Sequence, residues 1–323
     1  MLIGGLDIGG TKMAAIVAGP QGPLARAMQP TVKTGTSRAL PEQAIALLDE
    51  ACRKAGVERT MLKRVGVSSA GPFVTIGGEV ALVNPNLCGG LEATSDLPND
   101  WVSIPLEHVL RQEFGDIVVR NDCIAALIAE RSFGAVRDVK DCVYVTWSTG
   151  IGFGLCVDGH VLNGKHGNAG HAGHMLLSEN SQALCGCGNR GDVEALISGR
   201  NIERLRGRAA ADIFSAARRG DADSLKIATE AAQWFGKALY NLTATLDTSV
   251  FVIGGSVWQH HGEWMMPTVV KEIASRMPAL TADVILLNAA LGGLVADIGG
   301  LCLVMPEEWK DPWRRSSPWA NLA

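Results

Sequence analysis

Two stretches far apart in the chain are written on one plan. Residues 5–19, GLDIGGTKMAAIVAG, and residues 145–159, VTWSTGIGFGLCVDG, each read as a strand, a turn of glycine and small polar residues, a second strand and a Gly or Asp-Gly turn. Two such hairpins fit a duplicated fold whose halves each present a glycine turn to one ligand. They equally fit two ordinary hairpins without a shared origin. The rest of the chain alternates strand and helix patterns, which predicts α/β layers.

Apolar spacing predicts helices over 40–55, 104–114, 123–133, 192–197, 212–218, 224–246 and 263–277, with a final helix over 294–304. Short β-rich runs fall at 64–69, 117–120, 142–146, 250–253 and 284–287. Pro20, Gly22 and Pro23 mark a loop, and 84–100 reads as another. Residues 163–191 are Gly- and His-rich without a period.

A chain of 323 residues accommodates two α/β lobes. Hydrophobic residues at 47% and charged ones at 19% exclude a disordered chain. The net charge of -4 and the lack of a basic run argue against a nucleic-acid partner. No apolar run is long enough for a membrane span, and the N-terminus does not read as a signal peptide. Most of the eight cysteines sit in apolar runs, so reduced buried thiols in a cytoplasmic protein are expected, not a disulfide framework.

Four constellations carry chemistry. Asp7-x-Gly9-Gly10-Thr11 follows a strand; its glycines let backbone N–H groups approach phosphate oxygens, and Asp7 suits Mg²⁺ held through water. Read alone, the motif is also an ordinary tight turn. Thr149-Gly150-Ile151-Gly152-Phe153-Gly154 is a second such turn, neither a Walker A loop nor a Rossmann fingerprint, and Gly254-Gly255-Ser256 is a third that opens toward a helix. Asn121-Asp122 stands where a strand gives way to a helix. Asp122 can take a proton from an attacking hydroxyl there, or cap the helix, and the two roles are compatible. Finally, His171, His174, Cys185, Cys187, Asp192 and Glu194 gather in one glycine-rich stretch. Two thiols and an imidazole start a tetrahedral Zn²⁺ site, with free surface thiols as the alternative.

Taken in order, LDIGGTK (6–12), SAGP (69–72), ND (121–122) with Glu130, STGIGFG (148–154), DGHVLNGKHGNAG (158–170), GHM (173–175), CGCGNRG (185–191) and VIGGS (252–256) resemble the ROK family (repressor, open reading frame, kinase), which includes glucokinases and other hexose kinases. The resemblance covers nearly the whole chain. It implies the actin-like, RNase-H-like ATPase fold: an α/β chain of two lobes with a central cleft. The lobes are expected at 1–119 plus 291–323, and at 120–290 with the catalytic Asp, the zinc-type loop and the nucleotide site. Asp122 matches the catalytic base. Asn121, Glu194 and His174 match sugar contacts, and His171 occupies a further sugar-contact position. Asp7, Gly9, Gly10, Thr11, Lys12, Thr149, Gly150, Gly254 and Gly255 match nucleotide and phosphate sites. His174, Cys185 and Cys187 match zinc ligands.

Two positions depart from the family pattern. His171 stands where the family has Glu in Gly-Glu-x-Gly-His, and Asp192 stands where it has a third zinc Cys. Asp can still ligate zinc through oxygen. The activity implied is phosphoryl transfer from ATP, with Mg²⁺, to a hexose or modified hexose at its 6-hydroxyl, by a homodimer or higher homo-oligomer. An ionised Glu only accepts hydrogen bonds, whereas neutral His both donates and accepts. The expectation from His171 is a modified hexose, such as an aminosugar like kanosamine, in preference to glucose; the alternative is that His171 simply replaces the Glu contact and glucose stays preferred. A non-catalytic sugar sensor and a polyphosphate-dependent kinase are the rival readings. A repressor is disfavoured, because no DNA-binding domain is expected ahead of Asp7.

Overall fold

Nearly every residue of the first two strands is buried, as in a sheet covered on both faces. The computed structural model describes residues 1–91 and 97–322; residues 92–96, within the loop expected over 84–100, lie outside them. Along the chain run β1 (Leu2–Ile8), β2 (Lys12–Gly19), β3 (Gly22–Pro30), α1 (Ala39–Ala55), β4 (Leu62–Ser69), β5 (Phe73–Ile76), β6 (Glu79–Leu82), α2 (Leu106–Phe114), β7 (Ile117–Asn121) and α3 (Asp122–Phe133). There follow β8 (Cys142–Trp147), β9 (Ile151–Val157), β10 (His160–Val161), α4 (Val193–Ile197), α5 (Gly199–Arg206), α6 (Ala210–Arg218) and α7 (Ala222–Leu246). The chain ends with β11 (Val250–Gly254), α8 (Ser256–Ala274), α9 (Pro278–Thr281), β12 (Ile285–Asn288), α10 (Val295–Cys302) and α11 (Glu307–Ser316).

These elements divide into two compact units, one of residues 1–137, 163–169 and 293–323, the other of 138–162 and 170–292. The first holds a sheet of order β3-β2-β1-β4-β7, the second a sheet of order β10-β9-β8-β11-β12. In each, the first three strands are antiparallel and the last three parallel. The two hairpins that echo each other in the sequence, β1–β2 and β8–β9, therefore occupy equivalent places in two sheets of one topology.

In the first unit, neighbouring strand residues point to opposite faces. A side chain at Gly4 would meet Leu48 of α1, and one at Gly5 would meet Leu301 of α10, so these helices cover opposite sides of the sheet. The approach of α10 depends on Gly66 of β4: a Cβ there would lie 1.9 Å from the Gly300 carbonyl oxygen. The expected lobe boundary at 119/120 falls instead after Arg137, because β7 pairs with β4 and α3 packs on α10.

The core of the second unit is aromatic. Trp147 of β8 lies 4.7 Å from Phe235 of α7 and 6.5 Å from Trp258 of α8, ring centre to ring centre. The Trp147 indole also donates to the Ile197 carbonyl at 2.8 Å, which ties β8 to the end of α4.

Three expectations change. The Pro20–Pro23 loop is only a two-residue turn, after which β3 runs as an edge strand; a proline at the start of an edge strand costs no ladder bond. The helix over 294–304 is not the last, since α11 follows with Pro312 inside it. That helix is held by Trp309 and Trp313, buried one turn apart, and the Trp313 indole donates to the Pro20 carbonyl at 2.9 Å. Trp319 beyond it packs on Phe133 of α3 at 4.9 Å. The helix expected over 263–277 begins earlier, at Ser256, immediately after the glycine pair.

Candidate active site

In the first unit the site gathers at the C-terminal ends of β1, β4 and β7. The turn after β1 is tight: the Gly9 amide donates to the Lys12 carbonyl at 3.1 Å, and Thr31 Oγ1 donates to the Gly9 carbonyl at 2.7 Å. Gly10 lies in the same turn, and Thr11 and Lys12 are exposed at its far side. Asp7 projects from β1 and accepts a hydrogen bond from Ser68 Oγ at 3.2 Å. Burial, reinforced by the negative charges of Asp122 and Asp297, pushes its pKa up to about 7; Ser68 and Lys12 act against this.

Asn121 ends β7 and Asp122 begins α3. The Cys123 amide donates to Asn121 Oδ1 at 3.0 Å and to Asp122 Oδ1 at 2.8 Å, so this pair caps the helix. The N-terminal end of a helix favours a carboxylate. Burial raises the Asp122 pKa above the usual carboxylate range, and the Cys123 and Asn121 hydrogen bonds restrain the rise. A carboxylate so placed can cap a helix in its ground state and still take up a proton. Glu130, the further motif residue on α3, is fully buried and accepts from the Ala135 amide at 2.8 Å, which closes the C-terminal end of the same helix.

Asp297 escaped the sequence reading. It sits on α10, almost wholly buried, with Arg26 Nε at 2.8 Å. Its one sequence signal was a carboxylate inside the apolar run VADIGGLC, which repeats the Asp-Ile-Gly-Gly of residues 7–10.

In the second unit the turn after β8 is fixed through its carbonyls. The Ser148 oxygen accepts from the Gly199 amide at 2.9 Å and the Thr149 oxygen from the Arg200 amide at 3.0 Å, both in the first turn of α5. Gly150 leaves room for Glu194, whose Oε2 would lie 2.9 Å from a Cβ at that position and accepts from the Ile151 amide at 3.3 Å. Gly254 closes β11. Gly255 has φ of 88° and crosses the Trp147 backbone, where a Cβ would come within 2.4 Å of the Trp147 carbonyl oxygen. The turns at 148–150 and 254–255 are thus brought together at one end of this sheet.

The loop before α4 gathers the remaining residues. Ligand atoms of His174, Cys185, Cys187 and Asp192 all lie within 4.8 Å of one another. His174 Nδ1 is 3.2 Å from Asp192 Oδ2 and 3.7 Å from Cys185 Sγ, and Cys187 Sγ is 3.4 Å from Asp192 Oδ2. The hydrogen bond with Asp192 raises the His174 pKa. Burial pushes the Cys185 thiol far up. Cys185 Sγ also contacts Glu194 Oε1 at 3.5 Å. The His171 ring stacks on His174 with centroids 5.9 Å apart, and its Nε2 is buried without a hydrogen-bond partner among the described residues. Burial first, and His174 second, lower the His171 pKa and favour the neutral ring.

The repeated sheet topology, the glycine turns and the carboxylate at a strand–helix junction define an ATP-dependent sugar kinase of the actin-like ATPase fold. The chain belongs to the ROK family, whose model matches residues 3–306. It is 34% identical over 265 residues to an N-acetylmannosamine kinase of Shigella flexneri, covering 80% of this chain and 84% of that one. A ROK hexokinase from Thermus thermophilus superposes with a TM-score of 0.78 at 29% identity, covering 94% of this chain and 97% of that one. A ROK family glucokinase from Streptomyces griseus, in complex with glucose and AMPPNP, superposes with a TM-score of 0.73 at 26% identity, covering 93% and 98%. No helix among the described residues is long and apolar enough to cross a membrane.

Proposed function

We propose that this kinase phosphorylates the 6-hydroxyl of a modified hexose, with Asp122 as the general base. The observation that carries the mechanism is the Asp122 carboxylate, fixed at the head of α3 by the Cys123 amide, where burial raises its affinity for the proton of an attacking hydroxyl. The γ-phosphorus of ATP then takes the oxygen while ADP leaves with its charge screened. Asn121, His171, His174 and Glu194 would contact the sugar. The turns at Gly9–Lys12, Thr149–Gly150 and Gly254–Gly255 would hold the nucleotide and its phosphates.

Two metals fit the residues present. The mutual repulsion of Asp7, Asp122 and Asp297 is what a hard divalent cation relieves, and Mg²⁺ near Asp7 would screen the phosphate oxygens. Tetrahedral zinc, with bonds of about 2.0–2.3 Å, requires ligand–ligand edges of roughly 3.3–3.8 Å. Three of the six edges, of 3.2, 3.4 and 3.7 Å, lie in or close to this range, and all four ligand atoms lie within 4.8 Å of one another, so a small contraction would complete the set. Its part would be structural, bracing the loop that carries His171 and leads into Glu194. Eight free cysteines accord with a cytoplasmic protein.

The preference for a modified hexose rests on His171. A buried, unpartnered ring nitrogen both costs stability and offers a specific hydrogen bond to a substituent that a glucose hydroxyl pattern need not carry. The 34% identity to N-acetylmannosamine kinases supports a 2-acetamido or amino hexose. The test is kcat/KM across glucose, mannose, their N-acetyl forms and aminosugars, for wild type and His171→Glu. A modified hexose should lead in wild type, and the substitution should move the ranking toward glucose. Glucose leading in both proteins sinks the specificity, and no turnover of ATP with any sugar sinks the kinase in favour of a sugar sensor.

A further inference from the structure

Asp192 does two things with one carboxylate. Its side chain is fully buried at the N-cap of α4. Oδ1 accepts the Ala195 amide at 2.7 Å, while Oδ2 faces His174 Nδ1 at 3.2 Å and Cys187 Sγ at 3.4 Å. A cysteine at this position could ligate a metal, but its single sulfur is a much weaker cap acceptor than a carboxylate oxygen. The element begun by this cap is not peripheral. Two residues on, Glu194 accepts from the Ile151 amide beside the Thr149–Gly150 turn, and the Glu194 carbonyl takes the Asn201 amide group at 2.9 Å. Trp147 then anchors the far end of α4 through the Ile197 carbonyl.

We propose that Asp192 is a positioning residue that couples metal binding to the start of α4, one oxygen for the ion and one for the helix, so that metal occupancy fixes where Glu194 stands. This rests on the sugar-kinase reading only for the role of Glu194. The coupling itself concerns zinc and the fold. It differs from a ligand role alone, because the two functions of the carboxylate separate by substitution. Serine keeps an N-cap oxygen but supplies no carboxylate to the ion. Cysteine supplies a thiolate to the ion but only a weak sulfur cap. Alanine removes both.

The experiment compares wild type with Asp192→Ser, Asp192→Cys and Asp192→Ala in the full chain. Zinc content and affinity are read by competition with a chromophoric chelator, melting temperature with and without chelator, and KM and kcat separately. Asp192→Ser should lose zinc affinity by at least about 10–100-fold yet melt with wild type once both are chelated. Asp192→Cys should hold zinc but, once chelated, melt lower than chelated wild type by roughly 1–3 °C, the usual effect of a weakened cap. Sugar KM should rise in all three more than kcat falls, and most in Asp192→Ala, which loses both functions. Wild-type zinc affinity in Asp192→Ser, a chelated melt for Asp192→Cys equal to wild type, or wild-type protein that binds no zinc each overturns the coupling. Intact coupling with no sugar phosphorylated overturns only the assigned activity. Should every variant fail to fold, the wild-type protein still decides: its amide exchange in α4 must slow when zinc is added, and unchanged exchange refutes the proposal.

Discussion

Replacing Asp7 by Asn should make the protein more stable while it loses activity, and the gain should depend on pH. Asp7 has its pKa raised from 3.8 to about 7 in the folded protein, first by burial and then by the charges of Asp122 and Asp297. A carboxyl group raised in this way keeps its proton in the folded state after the unfolded chain has lost it. Its contribution to stability is complete below about pH 4 and is lost as pH rises through about 7. A shift of about three units corresponds to a ceiling of about 4 kcal/mol. Asp7 is only partly withdrawn from water, so screening reduces this, and about 2 kcal/mol is the reasonable figure. Asn keeps the shape and the hydrogen bond from Ser68 Oγ but carries no charge to repel. Thermal melts without nucleotide or divalent cation should therefore coincide at pH 4 and separate by roughly 3 °C at pH 8, the Asn variant melting higher. Mg²⁺ should narrow the gap at pH 8 by neutralising the wild-type cluster. A gap of the same size at both pH values, or an Asn variant that melts lower at pH 8, would refute the electrostatic account of this site.

Other consequences can be measured directly. Asp122→Asn should leave the fold and sugar binding largely intact while kcat falls by ~10²–10⁴; near-normal turnover in a steady-state assay rules out Asp122 as the base. Zinc held as proposed would have to displace protons from Cys185 and Cys187, both raised in pKa by burial, so its affinity should climb steeply between pH 6 and 8, by up to about 100-fold per pH unit, in chelator competition. A flat profile excludes thiolate ligation. Gly66→Ala should lower the melting point by several degrees or abolish folding, since the new Cβ would overlap the Gly300 carbonyl, whereas Gly293→Ala, which meets nothing within 4 Å, should melt with wild type.

What the sequence disclosed follows from how local each signal is. The hairpin β1–β2 was legible because its turn is made of glycines next to runs of apolar residues, and the chemistry of a turn is decided within four residues. The cluster of His174, Cys185 and Cys187 was legible for the same reason, since residue type and short spacing carry it. β3 was hidden behind Pro23, a residue that stops a central strand but not the start of an edge strand. α11 was hidden because Pro312 interrupts it and only Trp309 and Trp313 mark its buried side. The position of the boundary between units depends on β7 pairing with β4 and α3 packing on α10, contacts between segments separated by 50 residues or more, and no periodicity records them. Asp297 lies 290 residues after Asp7; only the fold brings the two carboxylates into repulsion.

The C-terminal tryptophans have an optical consequence. Trp309, Trp313 and Trp319 form a chain with ring centres 6.3–6.4 Å apart, and Phe133 touches two of them. Indoles at that separation share their excitation, so this corner of the first unit should give an exciton couplet in circular dichroism. The couplet needs α11 and the residues after it in place against α3 and the β2–β3 turn. It is therefore a label-free reporter on the tail of the first unit, separated by a Trp319→Phe comparison from the couplet that Trp147 and Trp258, 6.5 Å apart in the second unit, contribute in their turn.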